Sequence, residues 1–316
     1  MSWAMYRWVW QLRSPLHIGT TPAGSLNRTR LYVPARALWG ALTAEIARRH
    51  SSNFPNYADI GKKLQQNTRL SYLFPAEQEG GEWKAWLPRY QEGKGLVWQR
   101  EDDDNKVDPI PDCQFRQRLL DTRPGTAIAP GSGTAEEGSL REFEYIMPYW
   151  RPNDGQSRSQ PVAFVGYVFL KDLTSQGERE EEKEKDELET ACEILTGAQE
   201  IRELFIGGEI RYGFGRLILI PCSEQGPWEQ TAQCFGYNVN LDSAVSIQLP
   251  EYLLAHSLDA DVEAGDREVL FGWDWQTPRQ LNSLHWKPGT KLKGSLNYTI
   301  DEVGRWVKHN AAENAR

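Results

Sequence analysis

One ten-residue run, Gly207-Gly208-Glu209-Ile210-Arg211-Tyr212-Gly213-Phe214-Gly215-Arg216, gathers four glycines, two arginines and two aromatics. Glycine lets the main chain take positive φ and approach a ligand closely. Amides exposed in this way can meet phosphate oxygens, while Arg211 and Arg216 neutralise charge and Tyr212 or Phe214 stacks on a base. The run therefore reads as an RNA-backbone loop. The competing reading is a glycine-rich hairpin whose aromatics face the core.

Few other residues suggest chemistry. His17 stands at the end of an early apolar segment and could serve as a general base in metal-free RNA cleavage; the alternative is a structural histidine. The cluster Glu101-Asp102-Asp103-Asp104 invites a metal, but four consecutive acids on a loop cannot all face one ion, so it reads as a solvated turn. Cys113, Cys192, Cys222 and Cys234 form no C-x-x-C pair, and the five histidines show no metal-ligand spacing. No metal, cofactor or disulfide framework is implied, and the thiols are expected to be reduced and mostly buried.

The chain has 316 residues and a formal charge of −8, distributed unevenly. Residues 1–50 carry a net +6, from seven arginines and one acid, and could face phosphate. Residues 172–203 carry twelve acids and four bases, which predicts a solvated loop and helix start, or a surface for a basic protein partner. No stretch reaches the roughly 20 apolar residues of a membrane span, and the start lacks a secretory layout, so a cytoplasmic protein with no membrane partner is expected.

The elements that must position these groups follow from periodicity. Residues 6–12 alternate apolar with other residues and predict a first strand, which Leu16 to Gly19 extends toward a Thr/Pro/Gly/Ser/Asn loop. Pro34 and the spacing of Leu38, Ala41, Leu42 and Ile46 predict a helix over 35–49 with a basic end. Between 51 and 160 periodicity weakens, and the segment reads as insertions over a core. The run 163–170 is apolar, β-branched and aromatic, as in a buried central strand. Leu188, Cys192, Leu195, Ile201, Leu204 and Phe205 form an imperfect helical stripe, and 217–220 returns as a strand. Two such half-units in one antiparallel sheet predict an α+β fold with a ferredoxin-like core. Residues 223–316 form an irregular tail with Trp228, Trp273, Trp275, Trp286 and Trp306. Its basic stretch 286–294 is either a stacking surface or a core edge with a solvated lysine turn.

Three segments in this order resemble the RAMP superfamily of CRISPR-associated proteins, the RNA-binding subunits of type III effector complexes. Ser14-Pro15-Leu16-His17-Ile18-Gly19 followed by Tyr32-Val33-Pro34-Ala35-Arg36-Ala37-Leu38-Trp39-Gly40-Ala41-Leu42 is similar to the family's "LHIG" and helix-opening pattern. Ala37 and Trp39 replace the usual serine and lysine, leaving Arg36 as the basic candidate. Asp121 to Ala129 and Gly133-Thr134-Ala135-Glu136-Glu137-Gly138-Ser139-Leu140-Arg141-Glu142-Phe143-Glu144 resemble a thumb-like hairpin that wedges between guide bases. The glycine loop resembles the family's C-terminal signature.

The resemblance implies a RAMP core over 1–222 with insertions at about 51–160, and a C-terminal extension over 223–316 packed on it. It also implies a guide RNA (crRNA)-binding subunit of a hetero-oligomeric effector that helps position target RNA. The RNA-facing residues would be His17, Asn27, Arg28, Arg30, Arg36, Arg123, Arg141, Gly207, Gly208, Arg211, Tyr212, Gly213, Phe214, Gly215 and Arg216. Target-cutting relatives carry an aspartate in the loop after the first strand. Residues 19–30 hold no carboxylate, so a non-cutting role is expected. The alternatives are an endoribonuclease, acting on the guide through His17 or on target RNA through a metal, and a scaffold that caps the complex.

Overall fold

The computed structural model describes residues 2–50, 54–101, 107–152, 159–172, 201–221, 228–270, 283–294 and 296–309. Alternating side chains at residues 3–12 give the first strand, Trp3–Leu12, which buries Met5, Trp8, Val9, Trp10 and Leu12. Along one edge it pairs with Arg216–Ile220, and along the other with Ala163–Lys171. That last strand is buried along nearly its whole length, as its unbroken apolar run requires, because both faces of the sheet are covered.

The central strand in turn pairs with Thr68–Leu70 and Phe74–Glu79, two pieces of one interrupted strand. Every one of these pairings is antiparallel. Taken in chain order, the four core strands lie fourth, first, third, second across the sheet, which is the ferredoxin-like arrangement. Glu203–Phe205 adds one edge. Glu82–Gln91, Gly95–Arg100 and Ile110–Pro111 extend the other.

The helix α1 spans Ala35–His50, turning Leu38, Leu42 and Ile46 inward. The segment after residue 51 departs from expectation. A second helix, α2, runs over Tyr57–Asn67, with the Asn56 side chain capping the Asp59 amide, and packs beside α1. Its charged sequence masks a narrow apolar stripe, of which Leu64 is the buried anchor. Residues 68–79 then supply the core strand beside the central one, so one of the four core strands lies inside the stretch that reads as insertion. A third helix, α3, Asp112–Leu119, leads into a long hairpin, Leu120–Gly125 with Arg141–Ile146.

Three further expectations need correction. Residues 203–205 are strand and not helix, with Leu204 buried in the sheet; Leu188, Cys192 and Leu195 lie outside the described residues. The acidic block lies largely outside them too. Glu101 is buried, not solvated: its Oε1 accepts from the Arg7 guanidinium and from the Ala85 amide, both at 2.8 Å. Cys113 is exposed while Cys234 is buried, and Cys192 and Cys222 are undescribed.

The C-terminal region lies against the sheet and completes its core. Phe235 meets Phe74 and Tyr167 edge-on, and Trp228 meets Tyr6 and Trp8. Of the tail tryptophans, Trp306 is buried, and Trp286 lies half-buried beneath the Arg267 guanidinium. Trp273 and Trp275 fall outside the described residues. No helix among those described is long and apolar enough to cross a membrane.

Candidate nucleic-acid interface

Three main-chain junctions bring the distant motifs together. Leu16 exchanges hydrogen bonds with Ile146 at the base of the hairpin. His17 accepts from the Gly208 amide at 2.8 Å, and Leu26–Asn27 lies parallel to the hairpin strand at Glu142 and Phe143. The first loop, the hairpin and the glycine loop thus meet around the end of the first strand.

Within the glycine loop, most glycines serve the chain itself. Gly207 has φ +89°, and a Cβ there would stand 2.4 Å from the His17 carbonyl oxygen. At Gly215, φ +80°, it would stand 1.9 Å from the carbonyl oxygen of Ile206. A Cβ on Gly208 would press on the His17 ring, whereas one on Gly213 (φ +83°) would meet nothing. The amides of Gly208, Tyr212, Gly213, Phe214 and Gly215 all donate to carbonyls of this chain. A cradle of free amides for phosphate is therefore not what these residues form.

The aromatics divide as well. Phe214 is 3 % exposed and packs edge-on against Tyr145, so it cannot stack on a base. Tyr212, carried out on the short turn Ile210–Tyr212, is 59 % exposed. Arg211 is exposed beside it. Arg216 is ion-paired to Glu203 at the sheet edge, the ordinary fate of a surface arginine.

The hairpin supplies the facing wall. Strand alternation puts Arg123, Arg141, Phe143 and Tyr145 on one of its faces, with Arg123 opposite Phe143. The Arg141 guanidinium lies 5.4 Å from the Phe143 ring centre and donates to the Tyr212 hydroxyl at 3.5 Å. On the inner side, Phe143 meets the His17 ring edge-on at 5.7 Å. A continuous line of rings and guanidinium runs from buried His17 to exposed Tyr212. Phe143 and Tyr145 escaped sequence reasoning, although the alternation Arg141-Glu142-Phe143-Glu144-Tyr145 is itself a strand signal.

His17 is held, not free. Its Nδ1 lies 2.7 Å from the Glu144 carbonyl oxygen, which can only accept, so Nδ1 carries the proton and Nε2 the lone pair. Asn27 is equally structural, donating from Nδ2 to the Glu142 carbonyl. Arg28 is exposed at the rim of the first loop, and Arg36 is half-buried in the first turn of α1.

Arg30 turns inward, with 10 % of its side chain exposed, to the Gly19 carbonyl and Glu268. Glu268 is a hub: Oε1 accepts from His256 Nε2 at 2.6 Å, the Tyr32 hydroxyl at 3.0 Å and Arg30 Nε at 3.2 Å, and Oε2 from the Thr20 hydroxyl at 3.3 Å. Burial opposes its ionisation, yet the bond from His256 and the Arg30 charge outweigh this and hold its carboxyl well below the usual range. Burial also lowers the His256 pKa, leaving a neutral ring whose Nδ1 accepts from Tyr72 at 2.7 Å.

A comparison with curated proteins gives no match. Among solved structures, the chain is similar to a subunit of a type III-B Cmr-beta complex bound to cognate target RNA and AMPPnP, at 12 % identity and TM-score 0.47, covering 91 % of this chain and 86 % of that one. It is similar to a chain of the complex bound to cognate target RNA, at 12 % identity and TM-score 0.39 (71 % and 96 % covered). A chain of the apo complex gives 15 % identity and TM-score 0.38 (68 % and 96 % covered). A sequence profile of the RAMP superfamily matches residues 11–218, a stretch that starts in the first strand, ends in the fourth and takes in the hairpin and the glycine loop. On that match, which covers more than half of its length, the chain belongs to the RAMP superfamily.

Proposed function

We propose that this protein is a guide RNA-binding subunit of a type III CRISPR effector ribonucleoprotein. It grips the guide backbone without cutting it and works among other effector subunits to position target RNA. The observation that carries this reading is the junction of hairpin and glycine loop. There Arg123, Arg141, Arg211 and Tyr212, drawn from segments far apart in sequence, share a surface with Arg28 close by. Four cations and an exposed ring suit a single strand whose phosphates are neutralised and one of whose bases stacks. Membership in the RAMP superfamily supports the same ligand.

The carboxylates that reach the first loop come from elsewhere and are already engaged. Glu268 accepts from four donors, and Glu144 from the Thr29 amide. The four donors on Glu268 leave it poorly placed to hold a catalytic magnesium, which supports a non-cutting role.

The test is equilibrium binding of single-stranded guide RNA across a salt series. Arg141→Ala with Arg211→Ala should weaken binding at least tenfold and reduce the salt slope by about 1.4, the value for two single-strand phosphate contacts. An unchanged slope would sink the proposal.

A second reading, a metal-independent nuclease, has one observation in its favour: the tautomer imposed on His17 by Glu144 leaves Nε2 basic. RNA cutting in EDTA that vanishes in His17→Ala would replace the first reading with this one.

A further inference from the structure

The hub at Glu268 belongs to a part of the chain that lies beyond the family match, which ends at residue 218. Arg267–Leu270 pairs with Ser283–Trp286, setting Glu268 opposite His285 and Arg267 opposite Trp286. Arg267 stacks on Trp286 while the neighbouring position turns Glu268 onto the first loop. Two of its four donors, Thr20 and Arg30, stand at the two ends of that loop. Between these ends the loop closes on itself through the Thr20 amide to the Arg28 carbonyl at 3.0 Å and the Arg30 amide to Ile18 at 2.8 Å. Arg28 is exposed on the return arm of this loop, its carbonyl held by the Thr20 amide.

A carboxylate that grips both ends of an otherwise polar loop does more than stabilise. A flexible loop loses conformational freedom when its arginine contacts phosphate, whereas a loop already fixed does not. His256 and Tyr32 supply the other two donors from buried positions, so the carboxylate has no freedom to follow the loop outward.

We infer that Glu268 is a positioning residue for RNA binding: the C-terminal region, through this one carboxylate, presets the first loop so that Arg28 meets the RNA phosphate backbone. The inference rests on the guide-binding reading above. It also reassigns Arg30, which acts here as a strut between Glu268 and Gly19 and not as a phosphate ligand.

The test uses the full chain and a single-stranded guide RNA, with two readouts. Hydrogen exchange over residues 19–30 in the free protein reports the grip. Glu268→Gln removes the charge yet keeps an acceptor, and Thr20→Val removes one tether without touching the buried cluster, in case the first variant folds poorly. Both should speed exchange across the loop, and Glu268→Gln should weaken RNA binding about fivefold to tenfold. The decisive comparison is a double-mutant cycle with Arg28→Ala. If Glu268 acts through Arg28, the double variant binds as Arg28→Ala alone; additive losses would assign Glu268 a merely structural role and overturn the inference. Tighter binding by Glu268→Gln would overturn it as well, since that result would mean the carboxylate was masking Arg30. Unchanged exchange in both variants would show that no grip exists. A wild-type chain that fails to bind RNA removes the functional reading and this inference with it, while the exchange data still say whether Glu268 fixes the loop.

Discussion

Arg141 and Tyr212, separated by 71 residues, meet side chain to side chain: the guanidinium donates to the phenol oxygen at 3.5 Å and lies 5.4 Å from the ring centre of Phe143. The contact ties the tip-side end of the hairpin ladder, where Arg141 faces Gly125, to an exposed side chain of the glycine loop. Both partners are exposed, so the bond itself adds little stability. Its effect is to hold a cation and an aromatic face at one spacing.

From this arrangement Tyr212→Ala should weaken single-stranded RNA binding by about 1 to 3 kcal/mol, the range for one stacked base. Tyr212→Phe keeps the ring and should lose less than about threefold. Fluorescence anisotropy titrations of the two variants separate stacking from hydroxyl chemistry. Equal losses in both would place the function in the hydroxyl and remove the stacking role.

The glycines of the loop should rank by what a Cβ would strike. Gly215→Ala adds a side chain at φ +80° into the Ile206 carbonyl and should cost about 3 kcal/mol or more, read as a fall in the urea midpoint. Gly213→Ala shares the positive φ but meets open space, so its cost should stay near ~1 kcal/mol. The reverse order would show that the loop packs differently from the description above.

The contrast also shows how far the sequence could be read. Hydrophobic runs revealed the first strand, α1, the central strand and the fourth strand, because each buries one continuous pattern. The helix α2 hid behind lysines and glutamines, since only a few of its side chains need to be apolar to seat it. In the loop, glycine density did mark a special backbone, but composition cannot say which atoms crowd that backbone. They prove to be the carbonyls of His17 and Ile206, supplied by the chain itself. Phe214 and Tyr212 are two residues apart and similar in type, yet only their place on the turn decides that one is core and the other surface. The Glu268 hub joins residues from five separate segments and leaves no local pattern to find.

Acid should weaken the fold in two steps through that hub. His256 ordinarily titrates near 6.5 and is held lower by burial, so the unfolded chain takes up its proton first as pH falls. Its contribution is complete above pH 6.5 and declines below. Glu268, ordinarily near 4.5, is also held lower, so its contribution is complete above pH 4.5 and is lost on further acidification. Melting temperatures from about pH 8 down to about pH 4 should fall in both windows, with no compensating rise. His256→Phe should flatten the upper window; a variant that keeps the full decline would place the titrating group elsewhere.

The buried pair Arg7 and Glu101 gives the strongest single-site prediction for stability. Glu101 Oε1 accepts from Arg7 and from the Ala85 amide, and the Arg7 guanidinium also donates to the Trp83 carbonyl at 2.6 Å. Removing the carboxylate takes a buried charged acceptor from both the Arg7 guanidinium and the Ala85 amide, at a cost of about 3 kcal/mol; the partial exposure of Arg7, 18 % of its side chain, places this at the low end for a buried pair. Glu101→Gln keeps an acceptor for the amide and should lose about half as much. Once Glu101 is alanine, adding Arg7→Ala should cost less than it does in the wild-type chain, because their mutual ion pair is already lost. Urea unfolding of the four species at neutral pH measures the coupling directly. Independent losses would mean that the two side chains do not depend on each other.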